Sequence, residues 1–195
     1  LFSRSARAVG VATLSLTMLL AGCGETQETA SSAHDPAPET PPTATASHAN
    51  VNALRLLGAD NEPGQWMSHG RTYSEQRYSP LDEINLDNVG GLKLAWYQDL
   101  DTNRGQEATP LIIDGVMYIT TAWSKVKAYD AVTGEALWAY DPEVPGEWAV
   151  HACCDVVNRG VAAWNGKLFL GTLDGRLVAL DAETGKEVWS KSTID

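Results

Sequence analysis

Two stretches of this sequence, Val126-Lys-Ala-Tyr-Asp-Ala-Val-Thr-Gly-Glu-Ala-Leu-Trp138 and Leu177-Val-Ala-Leu-Asp-Ala-Glu-Thr-Gly-Lys-Glu-Val-Trp189, follow one pattern. Both contain Ala-x-Asp-x-x-Thr-Gly-x-x-x-Trp, and the second copy follows the first at an offset of 51 residues. The hairpins upstream keep the same offset, because Gly115–Thr121 aligns with Gly166–Thr172. A strict period of this length is typical of repeat architectures, in which each copy is one supersecondary unit.

Within each unit, short apolar runs alternate with turn residues. Asp114-Gly115 and Asn165-Gly166 each join two such runs, and these residue pairs favour tight hairpins because they tolerate positive φ angles. Four short antiparallel strands in a unit of this size predict an all-β fold, a β-propeller of four-stranded blades. A two-sheet sandwich would not require such a strict period. The strands predicted for the first unit are Leu111–Ile113, Val116–Thr121, Val126–Asp130 and Glu135–Tyr140, and a partial earlier copy is expected at Gly91–Trp96.

The start of the chain has the composition of an export signal. Arg4 and Arg7 precede the apolar run 9–20, and Leu20-Ala-Gly-Cys23 follows it. This ending resembles the bacterial lipoprotein signal, which implies that residues 1–23 are a signal peptide and that Cys23 is lipidated. A plain secretory peptide with an incidental cysteine is the alternative. Either one places the protein in an oxidising compartment, where disulfides persist, and we expect a periplasmic protein anchored to a membrane through Cys23.

The next region changes composition twice. Residues 24–50 are rich in Pro, Thr and Ala with almost no large apolar side chain, so we expect a disordered tether. From residue 51 to 195 the composition is that of a folded domain. Ala53, Leu54 and Leu57 fit one face of a short helix that would pack on this domain, with Asn50 or Asn52 as its N-cap and Gly58 as its end.

The charge of the chain excludes one class of partner. The 195 residues contain 14 Lys and Arg against 25 Asp and Glu, for a net charge of -11. Nucleic acid binding needs basic patches that neutralise phosphates. We therefore expect no nucleic acid partner.

The segment His151-Ala-Cys-Cys-Asp-Val-Val-Asn-Arg-Gly160 lies between the two repeat units and is not explained by core packing. The Cα atoms of Cys153 and Cys154 are about 3.8 Å apart across a trans peptide, which is below the usual disulfide span of roughly 4.4–6.8 Å. A bridge between them would close a strained ring, so the spacing leaves open both a vicinal disulfide and two inert thiols. Metal ligand pairs normally have two to four intervening residues, which argues against a metal site here.

The repeat motif resembles the tryptophan-docking motif of quinoprotein dehydrogenase propellers. In those proteins the indole packs on the neighbouring blade and its N–H meets a backbone acceptor, as a buried tryptophan requires. The resemblance extends to the segment between the units. Cys153–Ala162, together with Gln106–Leu111, is similar to the active-site sequence of alcohol dehydrogenases that use pyrroloquinoline quinone (PQQ).

This resemblance implies a set of roles. Cys153 and Cys154 would form a disulfide that lies flat against one face of PQQ, and Glu107 and Arg159 would hydrogen-bond its polar edge. A guanidinium fork is suited to carboxylate and quinone oxygens, whereas Glu107 would have to accept a hydrogen bond or be protonated. Taken singly, Glu107 and Arg159 are ordinary loop residues, and only their combination with the cysteines and the repeats indicates a site.

The resemblance also predicts what this chain does not contain. The family's propeller has eight blades, so the chain is expected to be an N-terminal fragment with about the first two to three. The family's calcium ligands and catalytic aspartate have no matching position here, so no catalytic residue and no metal ligand are assigned, and the fragment alone is expected to be inactive. Segments 70–80 and 171–176 are similar to the quinohaemoprotein branch, whose members carry a C-terminal cytochrome c domain with haem c, but no Cys-x-x-Cys-His occurs in this chain.

The activity implied is oxidation of a small alcohol to an aldehyde, by hydride transfer to PQQ with calcium as a Lewis acid. Electrons would then pass to a cytochrome c. The alternative is a non-catalytic lipoprotein propeller, similar to the scaffold protein of outer-membrane barrel assembly. That alternative suits the signal at Cys23 but leaves Cys153, Cys154, Glu107 and Arg159 without a purpose.

Overall fold

Two antiparallel four-stranded sheets form the folded part of the chain, and each follows sequence order without crossovers. The computed structural model describes residues 48–194. The predicted signal peptide, Cys23 and nearly all of the predicted tether lie outside these residues. The first sheet contains β1 Leu111–Ile113, β2 Val116–Thr120, β3 Val126–Asp130 and β4 Ala136–Tyr140. The second contains β5 Ala162–Trp164, β6 Lys167–Gly171, β7 Arg176–Asp181 and β8 Glu187–Ser192.

The predicted strands and turns are confirmed to within one residue at each end. Asp114 and Gly115 join β1 to β2 with φ angles of 53° and 83°, and Asn165 and Gly166 join β5 to β6 with φ angles of 47° and 72°. Two consecutive positive φ angles are the signature of the type I′ turn that matches the twist of a hairpin. The two sheets are therefore blades of the predicted β-propeller.

The core lies between the two blades. Tyr118 and Val126 of the first blade and Leu168 and Val178 of the second are completely buried. The alternation of buried and half-buried residues along β2 places every second side chain in this core, as a half-buried strand requires. The blades thus pack face to face through apolar side chains.

The same turn geometry precedes the last strand of each blade. In the first blade, Asp130 Oδ1 accepts hydrogen bonds from the amide and the hydroxyl of Thr133, at 2.7 and 2.9 Å. In the second, Asp181 Oδ1 accepts the same two bonds from Thr184, at 2.9 and 2.7 Å. The Asp and Thr of the repeat motif are therefore explained by local hydrogen bonding, which fixes the turn.

The tryptophan that ends the motif docks on the next blade, as predicted. Trp138 Nε1 donates to the carbonyl oxygen of Ala182 at 3.2 Å, and its ring lies against Gly185. Trp96 makes the equivalent bond to Ala131 at 3.2 Å. The segment around Trp96 therefore docks like the end of a preceding blade, although within residues 48–194 it pairs with no strand.

The first described residues contact the end of the blades that carries the β1–β2 and β5–β6 turns. Helix α1, Ala53–Leu57, has the predicted N-cap, because Asn52 Oδ1 accepts from the amide of Arg55 at 3.0 Å. The prediction that Leu54 and Leu57 pack on the domain is wrong, since their side chains are 80% and 73% exposed. The helix is too short for its apolar pattern to fix its orientation, and Arg55 fixes it by bonding Glu62 and Asp114.

Packing also begins earlier in the chain than predicted. Ala49 is fully buried, two residues before the boundary expected at residue 51. The carbonyl oxygens of Ala49 and Val51 accept hydrogen bonds from Gly166 and Asn165, at 3.1 and 2.8 Å. The β5–β6 turn thus orders the last residues of the predicted tether.

Candidate functional site

The segments that carry the predicted site residues meet at one end of the blades. Strand β1 begins at residue 111 and β4 ends at residue 140. Because the four strands run antiparallel in sequence order, these two points lie at the same end of the sheet. The segment before β1 carries Glu107, and the connection from β4 to β5, residues 141–161, carries the cysteine pair. The β1–β2 turn at Asp114-Gly115, which Arg55 of α1 contacts, lies at the opposite end of the strands.

Cys153 and Cys154 are exposed on this connection, just after a short 3-10 helix at Gly146–His151. Both are free thiols in the structure, so the disulfide implied by the resemblance stays a prediction. A hydrogen bond with the Cys153 side chain raises the pKa of the Cys154 thiol, and the negative charge of Glu107 raises it further while Arg159 opposes this. The Cys154 sulfur therefore lies close enough to both predicted polar residues to be influenced by their charges.

Glu107 and Arg159 form an ion pair. Arg159 Nη2 lies 3.1 Å from Glu107 Oε2, and the two side chains are 73% and 41% exposed. An exposed pair of this kind contributes about 0–1 kcal/mol to stability. The structure thus brings Glu107 and Arg159 into contact, close enough to Cys154 to influence its pKa, in an ion pair that contributes little to the stability of the fold.

The connection is anchored to both blades. Val156 is buried, and its carbonyl oxygen accepts from the amide of Trp123 at 2.8 Å. Asn158 Nδ2 donates to the carbonyl oxygen of Gly171 at 2.9 Å, and Thr109 donates from its amide to Arg159 at 3.2 Å. Loop residues held at this many points are pre-positioned, which is what a binding site requires.

Two residues of this region, Arg104 and Asp155, were not predicted from the sequence, and they form an ion pair at 2.5 Å. Asp155 could have been noticed, because it directly follows the cysteine pair. Arg104 carries no local signal, since it lies 51 residues away in an irregular segment. Its contact with Asp155 is seen only in the three-dimensional structure.

Comparison with known proteins identifies the family. The model of the family described as "PQQ: Glucose/ethanol/alcohol dehydrogenase, beta-propeller domain" matches residues 66–190, which is more than half of the chain. The chain belongs to this family. Of the two interpretations of the sequence, the dehydrogenase is therefore confirmed at the level of the family.

Relatives in the PQQ dehydrogenase family are similar over about 70–75% of the chain. The dehydrogenase subunit of a quinone-dependent alcohol dehydrogenase from Komagataeibacter europaeus is 70% identical over 71% of the chain and 19% of its own length. Quinohemoprotein alcohol dehydrogenase ADH IIB of Pseudomonas putida is 56% identical over 75% of the chain and 21% of its own length. The chain thus spans about a fifth of the length of these relatives.

Solved structures of PQQ dehydrogenases have the same fold. Quinohemoprotein alcohol dehydrogenase ADHIIG of Pseudomonas putida HK5 superposes with a TM-score of 0.74 at 56% identity, over 76% of this chain and 22% of that one. A europium-containing methanol dehydrogenase superposes with a TM-score of 0.68 at 42% identity, over 73% of this chain and 25% of that one. The two blades are therefore blades of a PQQ dehydrogenase propeller.

The described residues show neither a metal cluster nor a membrane helix. Between residues 48 and 194, no group of three or more His, Cys, Asp and Glu side chains converges in a way that could hold a metal ion. In the same part of the chain, no helix has the length and apolar character that crossing a membrane requires.

Proposed function

We propose that this chain forms part of a PQQ-dependent alcohol dehydrogenase that oxidises an alcohol to an aldehyde. The observation that carries the proposal is the convergence of Cys153, Cys154, Glu107 and Arg159 at one end of the two blades. Family membership supports it, as do relatives named for alcohol oxidation with a quinone or with cytochrome c. Because the chain spans about a fifth of those relatives, the complete site would need residues that this chain does not supply.

The residues present fit the shape and charge of PQQ, a planar tricarboxylate. Arg159 is 73% exposed, so its guanidinium is accessible to carboxylate and quinone oxygens. The exposed sulfur atoms of Cys153 and Cys154 offer an apolar surface beside it. The donors and the surface are therefore those that a flat anion needs.

Each residue would have a distinct task in binding. Arg159 would neutralise a carboxylate, and its ion pair with Glu107 would keep the guanidinium oriented toward the site. Glu107 would accept a hydrogen bond from a donor on the ring edge. Cys153 and Cys154, joined as a disulfide, would exclude water from one face of the ring. When bound, PQQ supplies the two-electron acceptor for the hydride of the alcohol.

We also propose calcium, haem c and a membrane anchor, all of which involve residues outside 48–194. Calcium would be held by ligands outside residues 48–194, and haem c would belong to a cytochrome domain or to a separate cytochrome c acceptor. Names of relatives support the second point, since one is a 1-butanol dehydrogenase (cytochrome c). Export to the periplasm is proposed from the signal-like residues 1–23, and anchoring through Cys23 from the ending at residues 20–23.

The test uses the full-length polypeptide that carries this chain, reconstituted with PQQ and calcium. We expect primary alcohols to reduce an artificial electron acceptor only after PQQ is added. Arg159→Gln and Glu107→Gln should each weaken PQQ binding, measured by quenching of tryptophan fluorescence, without lowering the melting temperature of the apoprotein. Failure of the wild-type protein to bind PQQ would contradict the proposal.

A further inference from the structure

The residue after the cysteine pair has an unusual backbone conformation. Asp155 has a φ angle of 72°, in the left-handed region that few side chains adopt readily. Its Oδ1 atom accepts a hydrogen bond from the amide of Val156 at 2.8 Å and also pairs with the guanidinium of Arg104. These contacts hold the chain in a sharp turn immediately beyond Cys154.

The partner residue belongs to the other segment of the site. Arg104 lies three residues before Glu107, in the chain that leads into β1. The two segments then stay side by side, because the amide of Thr109 donates to Arg159 and a Cβ atom on Gly105 would lie 3.4 Å from Val157. The Arg104–Asp155 pair is thus the first in a series of contacts that sets the distance between the cysteines and Glu107.

The solvent exposure of the Arg104–Asp155 ion pair limits its contribution to stability. The side chains of Arg104 and Asp155 are 47% and 34% exposed, and pairs of such exposure contribute little to the free energy of unfolding. The hydrogen bond from the Val156 amide lowers the pKa of Asp155, and Arg104 lowers it further, so the carboxylate is charged at neutral pH. What the pair determines is the relative position of two loops.

We propose that Arg104 and Asp155 are positioning residues for the cofactor site, which hold the turn after Cys154 against the segment that carries Glu107. Neither is expected to contact the reacting atoms. The inference rests on the proposed function, because it specifies how the same site is held in its binding arrangement.

The variants are Asp155→Asn, Arg104→Gln and the double variant of the full-length polypeptide. Asparagine tolerates the left-handed conformation and keeps an acceptor for the Val156 amide, so Asp155→Asn removes chiefly the ion pair. Asp114→Asn is the matched control. Asp114 also has a positive φ, 53°, and pairs with Arg55 at 2.9 Å, but it lies at the opposite end of β1.

Two readouts apply to each variant. The first is the dissociation constant for PQQ, from tryptophan fluorescence. The second is the rate at which a thiol reagent modifies Cys153 and Cys154 in the reduced apoprotein. If loss of the pair leaves the loops in the binding arrangement about a tenth of the time, the apparent dissociation constant rises about tenfold. We expect this rise and a several-fold change in the thiol rate for both single variants, no further change in the double variant, and wild-type values for Asp114→Asn.

Contrary outcomes are equally specific. Wild-type affinity and thiol rates in both single variants would overturn the proposal, and so would additive effects in the double variant. Should Asp155→Asn fail to fold, Arg104→Gln decides, because that half-exposed side chain lies on a loop. If the wild-type protein does not bind PQQ, the proposed function fails, while the thiol rates still decide whether the pair positions the cysteines.

Discussion

The indole N–H of Trp138 donates a hydrogen bond to the carbonyl oxygen of Ala182, at 3.2 Å, and so joins the last strand of one blade to the turn of the next. The hydroxyl of Tyr118 donates to the same oxygen at 3.2 Å, and the two rings lie 5.9 Å apart. One carbonyl group thus accepts two donors from the neighbouring blade. The contact combines apolar burial with complete pairing of buried polar groups.

Gly185 should be intolerant of any side chain, because a Cβ atom there would lie 2.4 Å from the ring of Trp138. We expect Gly185→Ala to lower the free energy of unfolding by about 2–4 kcal/mol, through overpacking and the cost of its positive φ. Gly115→Ala is the control, since Gly115 has a similar φ of 83° but open space around it. It should cost about 1 kcal/mol. Equal losses for both variants in chemical denaturation would refute the docking explanation.

Asp181 should make the second blade sensitive to acid. The hydroxyl and amide of Thr184 both donate to this carboxylate, and the hydroxyl bond is the main cause that lowers the pKa of Asp181. The stabilisation is therefore present above the unfolded-state pKa of about 3.9 and is lost as the pH falls through the folded-state pKa. Thr184→Val removes the hydroxyl bond. As the pH is lowered from about 5 to about 2, the denaturation midpoint of this variant should therefore fall less steeply than that of the wild-type protein. An unchanged slope would contradict this.

The disulfide between Cys153 and Cys154 can be tested by mass spectrometry of exported protein. Trypsin cleaves after Lys127 and Arg159, which places both cysteines in the peptide Ala128–Arg159. Without reduction, we expect this peptide to be two hydrogens lighter than its dithiol form and inert to alkylation. After reduction both thiols should be alkylated, because both are exposed. Recovery of free thiols alone from exported protein would argue against the bridge.

Arg55 should hold the strap formed by residues 49–62. It pairs with Glu62 at 2.6 Å and with Asp114 at 2.9 Å, and its side chain is 21% exposed. We expect Arg55→Ala to cost about 1 kcal/mol and to speed hydrogen exchange at the amides of Asn165 and Gly166, which bond to the strap. The amide of Val178, inside β7, serves as the reference. Unchanged exchange at the β5–β6 turn would show that the strap does not depend on Arg55.

Local chemistry explains which parts of the structure the sequence predicted. The turns at Asp114-Gly115 and Asn165-Gly166 have the φ angles that their residues favour, so strand boundaries followed directly. The docking of Trp138 was implied by the resemblance of the repeated motif to the tryptophan-docking motif of quinoprotein dehydrogenases. Each of these features depends on residues that are close in the chain or that occur in two copies.

Features that depend on distant single contacts were not predictable. The orientation of α1 depends on a contact between Arg55 and Asp114, 59 residues apart, and the apolar pattern around Leu54 therefore misled. Glu107 and Arg159 were predicted as members of one site, but their mutual ion pair was not. Propensity and periodicity contain no information about such pairs.

The connection of residues 141–161 lies outside the repeating pattern, so a binding surface formed by it occurs only where that connection is. A ring of copied blades is nearly symmetric, and symmetry by itself offers the same surface many times over. A pocket that occurs once must be built where the copies differ. The docking contact of Trp138 lies within the repeats and not in this connection. The exposed residues of the connection can therefore be exchanged while its anchors at Val156 and Asn158 are kept, which makes such loops natural places to graft new binding surfaces.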